Sequence, residues 1–589
     1  MSDLLNQASL VMVPSGYKED TVYSVVPSDG SGDLSFTRAS NGTRINSAGL
    51  VEVCPWNLAS YSEAFDNAAW TKANTTITAN NTTAPNGTTT ADKFAPNGTL
   101  TASYFSISQA ITLGATSQAH TAIVYAKAGG LGQMLFYLGS QIGIYFNLTN
   151  GQFISYYNGV QTITNYSSEA VGDGWYKYTI SVSGSSGIIY HEVYGAKSGA
   201  FIGNYTTADD CFVWGAQLNI GSTAKPYFPT TDRLNVPRLT YQNGGGGCPS
   251  LLLEPQRTNL VSYSEQFDNA YWSKYLATVT ADTAISPDGT QNADLVYPSS
   301  TGSLAGQLFR QISSGISSGN VVTISAFVKA SGKNFAYLSQ IQNSFSPDAY
   351  FNLTTGAITN ISSGVTASMT QLTNSWWRIS ITSTAGAGSY YAVVGSTDSA
   401  GSITNTASGT NGILVYGYQV EVGAYPTSYI PTTSSSATRV ADDITNTFLQ
   451  SGGFLGSNKG AMFVSGIPYS LGGNVVLNFV LTADNNTTKA FLFDTSSNQI
   501  RLRTWDASSN LQSLTSGTIT GNYKLCVSWT SSSIKFFVNG SLIGTISQTT
   551  YPYTTIKPES TSYSNNIWSQ LTFFADNLAD ADAIALTTL

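Results

Sequence analysis

The stretch Asn57–Lys72 reads NLASYSEAFDNAAWTK, and it returns as NLVSYSEQFDNAYWSK from Asn259 to Lys274. The offset between the copies, 259 minus 57, is 202 residues. The same offset relates Pro85 to Pro287, Asp92 to Asp294, Trp214 to Tyr416, Gln217 to Gln419, Tyr227 to Tyr429 and Pro229 to Pro431. A register held from Asn57 to Pro229 means one fold present twice in tandem.

Within the first copy, short alternating segments such as TAIVYAKA (Thr121–Ala128), WYKYTISVS (Trp175–Ser183) and GIIYHEVYG (Gly187–Gly195) are separated by turn residues. Seven or eight such strands, with no amphipathic helix of useful length, point to an antiparallel sandwich of the jelly-roll kind. The chain is therefore expected to be all-β, with sandwiches over 50–232 and 259–433. A Gly-rich connector at 233–258 joins them, and its Glu254 lies 202 residues after Glu52, so it belongs to the repeat. Residues 1–49 read as an attachment arm or as edge strands of the first module. A Ser/Thr-rich linker at 434–459 leads to a third unit over 460–589. There Leu525, Val527 and Trp529 alternate with Lys524, Cys526 and Ser528, and Ile534, Phe536 and Val538 share one face before an Asn539-Gly540 hairpin turn.

Of the 589 residues only 10% are charged, the net charge is −8, and no run of Lys or Arg occurs. Such a chain lacks the basic footprint that grips phosphates, so nucleic acid is excluded as a partner. The segment MSDLLNQASLVMVPSGYKED has no long apolar run, so neither a secretory signal nor membrane insertion is expected. Four cysteines without CxxC spacing, Cys54, Cys211, Cys248 and Cys526, read as free thiols.

Two resemblances extend this reading. The strand-turn-strand pattern of YKLCVSWTSSSIKFFVNGSLIGTI and the closing LTFFADNLADADAIALTTL resemble the concanavalin A-like, laminin-G-type sandwich; Asp580 would then cap a final short helix. The pieces Phe36–Glu52, Asn57–Lys72, Asn259–Lys274, Gln419–Thr433 and Thr438–Asp442 resemble structural and fibre proteins of tailed bacteriophages, including phages of gut Bacteroidetes. That resemblance implies a virion component made in the host cytoplasm. It also implies a homo-oligomer, often a trimer, joined to other virion proteins through the N-terminal arm and contacting host-surface polysaccharide.

Residues for catalysis are scarce. The two histidines, His120 and His191, have no counterparts in the second module, and no GxSxG motif occurs. The repeated acids Glu63/Glu265, Asp66/Asp268 and Asp92/Asp294 are candidates for glycoside hydrolysis or for structural turns. Asp29 and Asp33 read as a plain loop or a calcium turn. No cofactor and no metal site are expected.

For sugar binding, aligning GWYKYTISV with SWWRISITS places Tyr178 and Ile180 with Ile379 and Ile381 on the apolar face. Trp175 and Trp376 then fall on the opposite, polar face. These two tryptophans and Trp505, near a hairpin tip, are the candidate glycan-binding residues. The expectation is a non-enzymatic fibre or decoration protein on head or tail; the alternatives are a polysaccharide depolymerase and a purely architectural adaptor.

Overall fold

What makes the repeated motif fold the same way twice is a buried asparagine. In the computed structural model, Asn57 donates from Nδ2 to the carbonyls of Ala216 (3.0 Å) and Phe228 (2.9 Å), and its Oδ1 accepts the amides of Ala59 (3.0 Å) and Leu218 (3.1 Å). Asn259 makes the same four bonds with Tyr418, Ile430, Val261 and Val420. Each amide is thus fully satisfied at a site with no solvent exposure, pinning the entering chain to the last long strand of its module. Eight residues on, Phe65 packs at a tilt against Trp70 at 4.7 Å and Phe267 against Trp272 at 5.2 Å, plugging the sandwich. Lys72 donates to the carbonyls of Asp66, Asn67 and Trp70, and Lys274 to those of Asp268, Asn269 and Trp272.

The structure describes all residues except 1–3, 5, 114–117, 140–141, 158–161, 186, 242–243, 342–347, 467–478, 484–485, 497–498, 507, 520, 559–565 and 589. They form two compact units, residues 55–234 and residues 1–54 with 235–589.

The first unit is a sandwich of two six-stranded antiparallel sheets. One sheet runs, in spatial order, Phe153–Tyr157, Ile142–Asn147, Gln133–Leu138, Ile188–Ala196, Ser106–Thr112 and Thr71–Ala73. The other runs Thr162–Gly172, Trp175–Ser185, Gln118–Ala128, Cys211–Ile220, Ala91–Pro96 and Thr75–Thr82. Alternate residues such as Phe136, Ile144, Tyr178 and Ile180 fill the space between them. Residues 259–433, in the other unit, repeat this order strand for strand. Their counterpart of the first of these sheets runs Ile358–Thr359, Ala349–Asn352, Phe335–Ile341, Tyr390–Thr397, Gln307–Ile312 and Ser273–Tyr275.

The C-terminal sandwich is built from distant pieces of chain. Its larger sheet contains Gly460–Gly466, Tyr523–Thr530, Ser533–Val538, Ser541–Ser547 and Asn566–Phe574. Leu525, Val527, Trp529, Ile534, Phe536 and Val538 all enter the core, as the alternation predicts. Asn539 (φ 46°) and Gly540 (φ 78°) form the hairpin turn between Ser533–Val538 and Ser541–Ser547. The sheet is completed by Ser250–Leu253 from the connector and by Leu10–Met12, which both pair with Asn566–Phe574. Residues 1–49, read from sequence as an arm or as edge strands of the first module, therefore place Leu10, Met12, Val22, Leu34 and Phe36 in this third core. The connector is itself a hairpin, Arg238–Thr240 with Ser250–Leu253, its glycines Gly245, Gly246 and Gly247 all at positive φ. The apolar run VVLNFVLTA at 475–483 reads as a strand, of which Phe479–Ala483 is one and residues 475–478 lie outside the described residues. Asp580 does not cap the final helix. Ala579 occupies that position, and Asp580, one residue inside, pairs with Lys535 at 2.6 Å, where a first-turn acid is also favoured by the helix dipole.

A buried ionic cluster ties these pieces together. Arg38 pairs with Asp442 (2.7 Å), Arg238 with Asp442 and with Glu254 (2.7 Å), and Arg439 with Glu254 (2.5 Å). All five side chains are at most 1% exposed. Ser428 adds its amide and hydroxyl to Glu254. Burial alone would raise Glu254, but Arg439 and Arg238 overcome it and hold its carboxyl at about 2.

Glu254→Gln, which leaves Arg238 and Arg439 short of counter-charge, is expected to cost about 3–5 kcal/mol of unfolding free energy in urea titration. The Glu254 contribution is fully present above pH 4.5 and is lost as pH falls through about 2. A change below about 1 kcal/mol at pH 7 would show that the cluster is not what holds the segments together.

Candidate functional site

Trp175 opens its strand and Trp376 sits just before its own, Trp377–Thr384, but neither is available to a ligand. Each is 1% exposed. Trp175 is covered by Ala84, Ala91 and Trp214 and donates its indole N–H to the carbonyl of Thr83 at 3.1 Å. Trp376 packs with Leu372, Tyr416 and Val51 of the hairpin strand Val51–Cys54, and donates to the carbonyl of Ile285 at 3.1 Å. The expectation that they stand exposed is corrected: a face pointing away from the sandwich core is here a second, smaller core. Trp505 is half-buried, lying over Ala490 and Leu492 on the outward side of its sheet.

The repeated acids serve structural bonds. Asp92 accepts the amides of Phe65 (2.9 Å) and Asn80 (2.9 Å), and Asp294 those of Phe267 (2.7 Å) and Asp282 (3.0 Å). Glu63 accepts from the Tyr227 hydroxyl at 3.2 Å. Glu265 accepts from Tyr429 (2.9 Å) and Tyr416 (3.2 Å), while the Tyr416 hydroxyl also faces Asp288 at 3.1 Å. One hydroxyl proton cannot serve two carboxylates, so burial and the Asp288 charge push Glu265 up to about 7. His191 is wedged against Trp70 and Phe136, its Nε2 2.9 Å from the Ile123 carbonyl; burial lowers it to about 4, a neutral core histidine. Asp29 accepts from Ser31 and Asp33 from Ser24, as in an ordinary loop. Among the described residues no group of three or more His, Cys, Asp or Glu side chains is placed to hold a metal ion.

The surface that stands out lies on the outer face of the other sheet of the first module. Strand pairing aligns Tyr157, Gly143, Tyr137, Glu192 and Ser108 in one row across five strands, and Ser155, Tyr145, Leu135, Tyr194 and Ser106 in the next. The rings are contiguous. Tyr137 is 6.0 Å from Tyr157 and 6.1 Å from Tyr194, and Phe201 approaches Tyr194 at 4.9 Å and Tyr157 at 5.4 Å. Tyr104 and Tyr190, 39% and 40% exposed, extend the platform. Glu192 stands among them, following Tyr190 and preceding Tyr194 on the outward side, with Tyr137 across the strand pair. It accepts from Ser106 at 3.1 Å. Desolvation and the Glu192 charge push the Tyr137 hydroxyl up to about 12, so it stays a donor at all ordinary pH. The rings meet at 54–87° and are half-buried against Leu135 and Tyr145, so they offer separate ring faces and edges, with hydroxyls and one carboxylate among them, to a ligand with an apolar face and polar edges.

The second module lacks this surface. There Tyr337 pairs with Gly395 where Leu135 pairs with Tyr194, and its ring lies over that glycine: a Cβ at Gly395 would sit 2.5 Å from the ring. Val393 replaces Glu192 and Phe309 replaces Ser108, and Tyr337, Tyr350 and Val393 are all buried. The sequence carried the signal, since Tyr190, Glu192 and Tyr194 alternate with Ile189, His191 and Val193.

No protein-family model matches the chain, and no curated protein matches it. Among solved structures, the Ruminococcus gnavus IT-sialidase CBM40 bound to α2,3-sialyllactose is similar at 16% identity and a TM-score of 0.20, over 23% of this chain and 84% of that one. The receptor-binding domain of botulinum neurotoxin mosaic serotype C/D is similar at 14% identity and a TM-score of 0.19, over 24% of this chain and 39% of that one. Likenesses of this extent carry no conclusion about binding.

Trp175→Ala is expected to destabilise the first module by about 3–5 kcal/mol in denaturant titration. Trp175→Phe, which keeps an aromatic ring in the same pocket, should recover most of that stability; a loss as large as in Trp175→Ala would show that the indole N–H bond to Thr83, not ring packing, is what counts. Glu265, raised from 4.5 to about 7, contributes stability that is fully present below pH 4.5 and is lost as pH rises through about 7. Glu265→Gln should flatten the fall in melting temperature between pH 5 and pH 8 roughly as this linkage requires; an unchanged slope would exclude it.

Proposed function

We propose that the chain is a non-enzymatic, multi-domain glycan-binding protein of a phage particle, a fibre or decoration component that meets host-surface polysaccharide through the first module. The tyrosine face around Glu192 carries the reading. It offers contiguous rings for the apolar face of a pyranose and hydroxyls for its edges, on rigid strands that need no reordering. The virion setting rests on the resemblance of Phe36–Glu52 and of the two NLxxYSExFDNAxWxK motifs to phage structural proteins. The non-enzymatic reading is favoured because Asp92, Asp294, Glu63 and Glu265 are each engaged in structural hydrogen bonds. One shallow face per chain binds weakly, and assembly into a homo-oligomer would multiply avidity by roughly 10²–10⁴.

Affinity electrophoresis through gels containing host-surface polysaccharide tests this. The parent protein should be retarded, and Tyr137→Ala with Tyr194→Ala should run as in a gel without polysaccharide while keeping the parent near-ultraviolet circular dichroism. Equal retardation of parent and variant would remove the face from the binding site, and release of reducing ends would replace the reading with a depolymerase. Mass spectrometry of purified particles should find the chain; its absence would refute the virion assignment.

A further inference from the structure

Building on the glycan-binding reading, we infer that the tyrosine face of the first module takes neutral or amino-substituted pyranoses and rejects anionic ones such as sialic acids and uronates. The discriminating group is Glu192. Its backbone position between Tyr190 and Tyr194, with Tyr137 across the strand pair, directs its half-buried carboxylate into the platform instead of leaving it at the rim. A carboxylate has about four acceptor sites. Ser106 supplies one donor at 3.1 Å, and the neighbouring Tyr194 hydroxyl is a second. The remaining sites suit sugar hydroxyls or an ammonium group, both of which donate.

An acidic sugar on the same rings would bring a second carboxylate close to the first. Rings on several sides of Glu192 exclude water and lower the local dielectric, so repulsion there is felt more strongly than at an open surface. Binding an anion normally calls for a guanidinium or ammonium group that can meet its carboxylate directly. The lysines flanking this sheet are already committed. Lys72 gives its protons to the carbonyls of Asp66, Asn67 and Trp70. Lys197 pairs with Asp209 at 2.7 Å and lies over the Tyr205 ring at 5.3 Å. The face therefore has a negative centre with no described cation aimed into it, which works against anionic partners as much as it favours hydroxyl and ammonium donors. The buried counterpart in the second module, with Val393 at the Glu192 position, offers no such selection.

The test is an array of matched oligosaccharides probed with the full-length protein: lactose against sialyllactose, and cellohexaose and a glucosamine hexamer against a hexauronate. The parent should bind neutral or amino sugars at least about tenfold more tightly than their acidic partners. Glu192→Gln should narrow that gap by raising acidic binding, whereas Tyr137→Ala should weaken every bound sugar alike. Acidic sugars held as tightly as neutral ones, through Tyr137 and Tyr194, would overturn this specificity while leaving glycan binding intact. A gap unchanged in Glu192→Gln would likewise overturn it. Binding to no sugar on the array would instead sink the glycan-binding reading on which it rests.

Discussion

Residues 1–54 and 235–589 depend on one buried electrostatic arrangement: three guanidiniums, Arg38, Arg238 and Arg439, shared between two carboxylates, Glu254 and Asp442. Each comes from a different stretch, namely the N-terminal segment, the connector and the segment after the second module. Isolated ions at such depth would be very costly, so the segments are held in the one arrangement that pairs them all. Burial pushes Arg38 and Arg439 down despite their partners, and the neighbouring Arg238 charge adds to the effect. Arg38 also donates to the backbone carbonyls of Ser40 and Val236, and Arg439 to that of Pro255.

With that frame in place, the hairpin Gly42–Ile45 and Val51–Cys54 can lie against the second module, where Val51 joins Trp376 and Tyr416. The same frame delivers Leu10–Met12 and Ser250–Leu253 to the edge of the C-terminal sandwich. An edge strand left unpaired invites association, and here segments distant in sequence cover it.

The duplication marks out the structural residues. Asn57/Asn259, Asp92/Asp294, Lys72/Lys274 and Trp70/Trp272 recur because both copies need the same buried bonds. The tyrosine face is found where the copies differ. Glu192 and Tyr194 in the first module answer to Val393 and Gly395 in the second, and that exchange replaces a half-buried polar-aromatic face with one centred on buried Tyr337, Tyr350 and Val393. Trp175 and Trp376 also recur in both copies and point away from the main core, yet each is closed over in a smaller core of its own.

The sequence by itself determined the all-β class, the duplication and its register, and the inward face of strands such as Tyr523–Thr530. Period-two alternation and turn residues act over a few positions, so they are readable without the fold. Only the tertiary structure decided which outward faces meet solvent, which strands the N-terminal segment and connector complete, and that Tyr104, Tyr137, Tyr157, Tyr190, Tyr194 and Phe201 share one surface. Those outcomes depend on pairing between strands and on loops folding over sheets, contacts between residues far apart in the chain, and no local pattern encodes whether an outward side chain will be covered.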